Sequence, residues 1–149
     1  MKYPILTGLL FTLITVSANA QSSTGSKPKI FAAFPATISC SELELSKAFS
    51  TAVDQTVSLS FSNNLLFNGT VTGNTVKYSN LQSVTIKLPE FDNLIFSISK
   101  ITNDDKTITY VGRIINKKYA DGYELKKDAS NNYQFIKFET NRIIPECSQ

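Results

Sequence analysis

From Thr56 onward the chain alternates: in Val57-Ser58-Leu59-Ser60-Phe61-Ser62 apolar and hydroxylated residues follow each other with a strict period of two. An extended strand turns successive side chains to opposite faces, so this pattern describes a strand with one face buried and the other wet. A helix would spread the same hydroxyls around its buried side. Further strands are expected at 66–71, 75–78, 83–88, 94–101, 107–115, 122–127 and 133–140. The turn pairs Asn63-Asn64 and Gly73-Asn74, the segments 89–93 and 103–105, and loops at 117–121 and 128–132 separate them. Connections this short join antiparallel neighbours.

Ahead of the strands, Ser41-Glu42-Leu43-Glu44 forms a capping box, in which the Ser41 hydroxyl accepts from the Glu44 amide and the Glu44 carboxylate reaches back. Leu45, Ala48, Phe49, Ala52 and Val53 then recur at intervals of three and four, which predicts an amphipathic helix over 42–53. After Thr56 no strand alternates with a helix, so a parallel doubly wound sheet does not fit. The expected fold is mainly β (α+β), with one N-terminal amphipathic helix followed by an antiparallel meander of about seven to eight strands. That meander forms a curved sheet around the helix or, as second choice, an up-and-down barrel. No fixed-period repeat suggests a propeller or solenoid.

The N-terminal sequence points to export. Lys2 precedes a largely apolar run from Ile5 to Val16, and Ala18-Asn19-Ala20 is the small-x-small pattern that signal peptidases cleave. The run is too short to span a bilayer, and polar Gln21-Ser22-Ser23-Thr24 follows it. Residues 1–20 are therefore expected to be a signal peptide, 21–29 a flexible leader of Ser, Gly, Lys and Pro, and 30–149 a single antiparallel β-rich domain. The product should reach an extracellular or periplasmic space after cleavage near Ala20, with no membrane span. Cys40 and Cys147 are the two cysteines, and in an oxidising compartment they are expected to pair. Closing a loop of roughly a hundred residues stabilises by about 4 to 5 kcal/mol in the chain-entropy account, less any strain.

The whole chain holds no histidine, which removes Ser-His-Asp and Cys-His catalysis, histidine acid/base work and most zinc sites. Neither a dinucleotide-binding glycine motif nor a P-loop occurs. The net charge of +3 falls to about +2 without Lys2, and the basic residues are dispersed, so neither nucleic acid nor an anionic membrane is implied. Carboxylate pairs at Glu90/Asp92, Asp104/Asp105 and Asp121/Glu124 could serve a hydrolase, but each lies at a turn, where acidic side chains cap local amides. Asp128, Ser130, Asn132 and Glu139 match part of a calcium-loop spacing, but Tyr133 replaces the required glycine and a strand follows where a helix is needed. Asn68-Gly69-Thr70 fits an N-glycosylation acceptor.

Among loops, 113–123 is the best candidate for recognition, because Arg113, Lys117, Lys118, Tyr119 and Tyr123 bring cationic and aromatic side chains into eleven residues. The plainer alternative is that the tyrosines cover the core edge while the lysines keep an edge strand soluble. A leader, one helix and a meander are similar in outline to cystatin-like inhibitors and lipocalin-like carriers, though the chain carries no diagnostic motif of either. The expectation is a secreted, non-enzymatic binding module without a cofactor, whose partner is a protein, a glycan or an apolar ligand. The alternatives are a carrier of an apolar small molecule inside a β-barrel and a carboxylate-dependent hydrolase.

Overall fold

The computed structural model describes residues 26–62 and 65–140. The expected signal peptide, residues 21–25 of the expected leader, the Asn63-Asn64 turn and Cys147 lie outside the described residues. In chain order the elements are β1 (Thr37–Cys40), α1 (Glu42–Ser50), β2 (Thr56–Ser60), β3 (Leu66–Tyr78), β4 (Leu81–Leu88), a 3-10 turn (Pro89–Phe91), β5 (Leu94–Thr102), β6 (Ile108–Ile115), β7 (Asp121–Lys127) and β8 (Tyr133–Glu139). The eight strands form one antiparallel sheet in the order β1-β8-β7-β6-β5-β4-β3-β2, curled into a half-barrel whose edge strands are β1 and β2.

Ser41 is the N-cap of α1 and accepts the Glu44 amide, while Leu45, Ala48 and Phe49 are buried. The helix stops at Ser50, short of the expected Val53. Thr51 is already extended, and side-chain amides take the carbonyls left without partners at the helix end. Asn74 Nδ2 donates to Phe49 O and Thr51 O, and Gln82 Nε2 donates to Phe49 O as well as to Asn74 Oδ1.

The expected strands at 66–71 and 75–78 are one strand. The β3–β4 register shifts between Val71 and Gly73, so the Gly73 region is a bulge inside β3 and the turn comes at 79–80. One strand was not anticipated. The four-residue β1 pairs with β8, Ile38 opposite Phe135 and Cys40 opposite Tyr133, a partner nearly a hundred residues away in sequence.

Inward-facing side chains fill the curl. Leu59, Phe67, Ile86, Leu94, Phe96 and Phe135 are fully buried, and aromatic rings cover both ends of the sheet. At one end α1 places Phe49 against Tyr110, with ring centroids 5.6 Å apart, and Tyr110 meets Tyr133 edge-on at the same separation. At the other end Phe31 meets Tyr123 at 4.8 Å and also packs against Phe34 and Phe91. Polar groups fix that second end. Asp121, buried inside, accepts the amides of Ile30 and Phe31, and Lys137 Nζ donates to Phe31 O and Phe34 O. Pro28 O accepts from Ala120 N, and Lys29 pairs with Glu139, so residues 28 and 29 of the expected leader are tied to the sheet.

Candidate functional site

On β6, Tyr110 and Ile114 point inward while Val111, Arg113 and Ile115 point outward, as the two-residue period demands. β6 pairs with β7 over only three residue pairs, Gly112 with Leu125, Arg113 with Glu124 and Ile114 with Tyr123. Beyond Gly112 the strands part. The Tyr110 amide, left without a β7 carbonyl, donates to the buried Tyr133 hydroxyl at 2.8 Å. On the outer face this parting leaves a groove of about 520 Å³ whose lining includes Ser97, Val111, Gly112, Ile115 and Leu125.

Charge borders the groove. Arg113 donates through Nε at 3.1 Å and through a terminal nitrogen at 2.7 Å to Glu124 Oε1, and Lys126 reaches Glu124 Oε2 at 2.7 Å. The Lys126 ammonium, then the Arg113 guanidinium, hold the Glu124 carboxyl below its ordinary range. Two cations thus share one anion. Val111 remains 44% exposed at the centre, and Ile108, further along β6, is also exposed. A smaller hollow of about 140 Å³ lies at the tip of the β3–β4 hairpin beside exposed Val76 and Tyr78.

The five residues expected to form a recognition loop do not stand together. Arg113 is in the outer groove. Tyr123 is fully buried, with its ring in the core and its hydroxyl donating to Pro35 O, so it cannot meet a partner. Tyr119 is half-buried and donates to Asp92 Oδ2 at 3.0 Å, an oxygen that Lys118 Nζ also approaches at 3.3 Å. Tyr119 and Lys118 thereby fasten their loop to the β4–β5 connection and lower the Asp92 carboxyl, the tyrosine hydroxyl acting most. Lys117 is exposed on the same loop. Val111, Lys126 and Ser97 were not singled out for binding in the sequence, and Glu124 was weighed only as half of a catalytic carboxylate pair. The available signal was apolar residues at both parities of β6, which marks a strand greasy on its outer face too.

Five of the six carboxylates considered for catalysis already hold protein partners. Asp121 points inward and Glu124 outward, on opposite faces of β7. Asp105 accepts the amide and hydroxyl of Thr107, and Glu90 accepts from Asn68, the residue of the possible glycosylation motif. Asp128 caps the β7–β8 hairpin by accepting the Ser130 and Asn132 amides, so the partial calcium spacing is a turn between strands. Among the described residues no group of three or more metal-ligating side chains converges, and no helix is long and apolar enough to cross a membrane.

Cys40 is a free, half-buried thiol, raised by burial to about 12. With Cys147 outside the described residues, the expected Cys40–Cys147 bridge is not among the bonds seen. Comparison with family profiles, curated proteins and solved structures finds no match to the chain.

Proposed function

We propose that the protein is an exported, non-enzymatic binding module that holds a partner protein against the outer face of its sheet, where β6 parts from β7. The observation that carries this reading is the association of Val111 and Ile115 with the Arg113–Glu124–Lys126 rim around one groove. An apolar patch bordered by charge is how protein-binding surfaces are commonly built, and arginine is enriched among their anchors. Because two cations share one carboxylate, the fitting partner segment is apolar and carries an acidic side chain beside Arg113. Export rests on Lys2, the apolar run to Val16 and Ala18-Asn19-Ala20. Carriage of a small molecule inside the curl is the weaker reading, because the protein's own aromatic and aliphatic side chains occupy that space.

The test is a photo-reactive benzophenone residue placed at Val111, and separately at Leu43, an even more exposed apolar position on α1. In cells exporting the protein, a discrete cross-linked protein specific to the Val111 version is expected. Identical adducts from both positions, or none from Val111, would sink the reading.

A further inference from the structure

Residues 28–35, the strap that leads into β1, are held by side chains of β7 and β8 at one end of the half-barrel. Asp121 accepts the Ile30 amide at 2.8 Å and the Phe31 amide at 3.0 Å, and Lys137 Nζ donates to Phe31 O at 2.6 Å. The Tyr123 hydroxyl donates to Pro35 O. Hydrogen bonds with one charged partner are the stronger ones, and they grip the middle of the strap. The Phe31 ring is fully buried against Tyr123, Phe34 and Phe91, whereas Ala32 and Ala33 between the two phenylalanines are exposed. Anchored backbone, a buried ring and an exposed spacer are the contacts of a peptide seated in a socket.

None of these contacts requires the strap to belong to the same chain. The β1–β8 register begins at Thr37, with Lys137 N donating to Ala36 O just before it. The strap can therefore leave its socket with every strand pair intact. Pro35 lies at the joint, where its ring fixes its own φ and keeps Phe34 out of the helical region. The joint is stiff and extended, so a released strap is directed away from its own sheet. The segment that fits the socket is this chain's own sequence, and a second copy supplies it again. We propose that the socket formed by Asp121, Tyr123, Lys137 and Phe91 also binds residues 28–34 of a second copy, in a reciprocal strap-exchanged dimer.

Because Pro35 and Ala36 are bonded at the margin of the socket, exchange brings the same end of each molecule face to face, as a two-fold interface requires. The strap makes the same contacts in either arrangement, so concentration decides between them. A short tether favours the strap's own socket until the protein approaches about millimolar concentration. The four socket residues do not line the outer groove, so a linked pair presents two grooves.

Lys29 Nζ lies 2.7 Å from Glu139 Oε1 at the end of the strap, which lets a zero-length carbodiimide cross-link report whose strap fills which socket. Isotopically light and heavy preparations of the purified chain are mixed in urea, refolded together and cross-linked. Lys29–Glu139 peptides joining a light half to a heavy half are expected at about millimolar protein and should fade at micromolar protein. A synthetic peptide of residues 26–36, added in excess, should cross-link to Glu139 in the parent chain. The same peptide carrying Phe31→Ala should do so at least tenfold less. Cross-links that stay within one isotope at every concentration, dimers included, would overturn the proposal. So would equal capture of the two peptides, or capture of neither.

Discussion

Asp121 and Phe31 are ninety residues apart in sequence, yet the Asp121 carboxylate accepts the Phe31 amide at 3.0 Å inside the protein. Its other oxygen takes the Ile30 amide at 2.8 Å. A carboxylate only 1% exposed is therefore satisfied by two backbone donors, and those bonds place the Phe31 ring over Tyr123.

Asp121→Ala removes both acceptors and leaves two amides to find others, and bonds to charged groups are worth about 1.5 to 3 kcal/mol each. A loss of about 3 to 5 kcal/mol is expected from urea unfolding, with Asp121→Asn intermediate because it keeps one acceptor oxygen. A loss under about 1 kcal/mol would mean that the N-terminal segment is not held by this group.

Burial first, and the Asp121 carboxylate second, push the Tyr123 phenol from its ordinary 10.0 up to about 12. The folded state thus holds this proton more tightly than the unfolded chain does. The resulting stability is fully present below pH 10 and is lost as pH rises towards 12. Stability measured across that window should fall less steeply in Tyr123→Phe than in the parent. Equal slopes would show that Tyr123 ionises as an exposed tyrosine.

Asn74 links the end of α1 to the sheet through Phe49 O and Thr51 O. Asn74→Ala should cost about 1 to 2 kcal/mol, a range set by loss of a helix-terminal partner. The loss should appear as faster amide exchange in the last turn of α1, with β6 to β8 unaffected. Uniform acceleration across the sheet would indicate a different role.

At Gly112 an added Cβ would lie 2.8 Å from Ser97 O and 3.2 Å from the Phe96 ring, both within the β5 wall. Gly112→Ala should therefore destabilise by about 1 to 3 kcal/mol through overpacking. The same residue lines the outer groove, so partner affinity should drop with it. An unchanged melting temperature would show that β5 and β6 can separate to accept a side chain.

The sequence made some of this legible and left the rest hidden for physical reasons. Period-two alternation located β2, and Ser41 as N-cap located the start of α1, because both signals are local; the other half of the expected capping box does not form, since the Glu44 carboxylate takes Ser60 N and Lys47 instead. β1 shows the same alternation in Thr37-Ile38-Ser39-Cys40, but four residues become a strand only through distant β8. Gly73-Asn74 resembles a turn, and cross-strand pairing with β4 converts it into a bulge. Tyr123 read either as a recognition residue or as cover for the core edge, and its parity with Asp121 and Leu125 puts all three on the inner face. The Arg113–Glu124 pairing rests on β6–β7 register, which no local pattern reveals.

The most direct measurement is the affinity of the partner cross-linked through Val111, determined by calorimetry for the parent, Val111→Asp and Leu43→Asp. A carboxylate placed among Val111's apolar neighbours should weaken binding at least tenfold, equivalent to about 1.4 kcal/mol, without shifting the melting temperature, while Leu43→Asp binds like the parent. Equal affinity for all three proteins would contradict assignment of the outer groove as the binding surface.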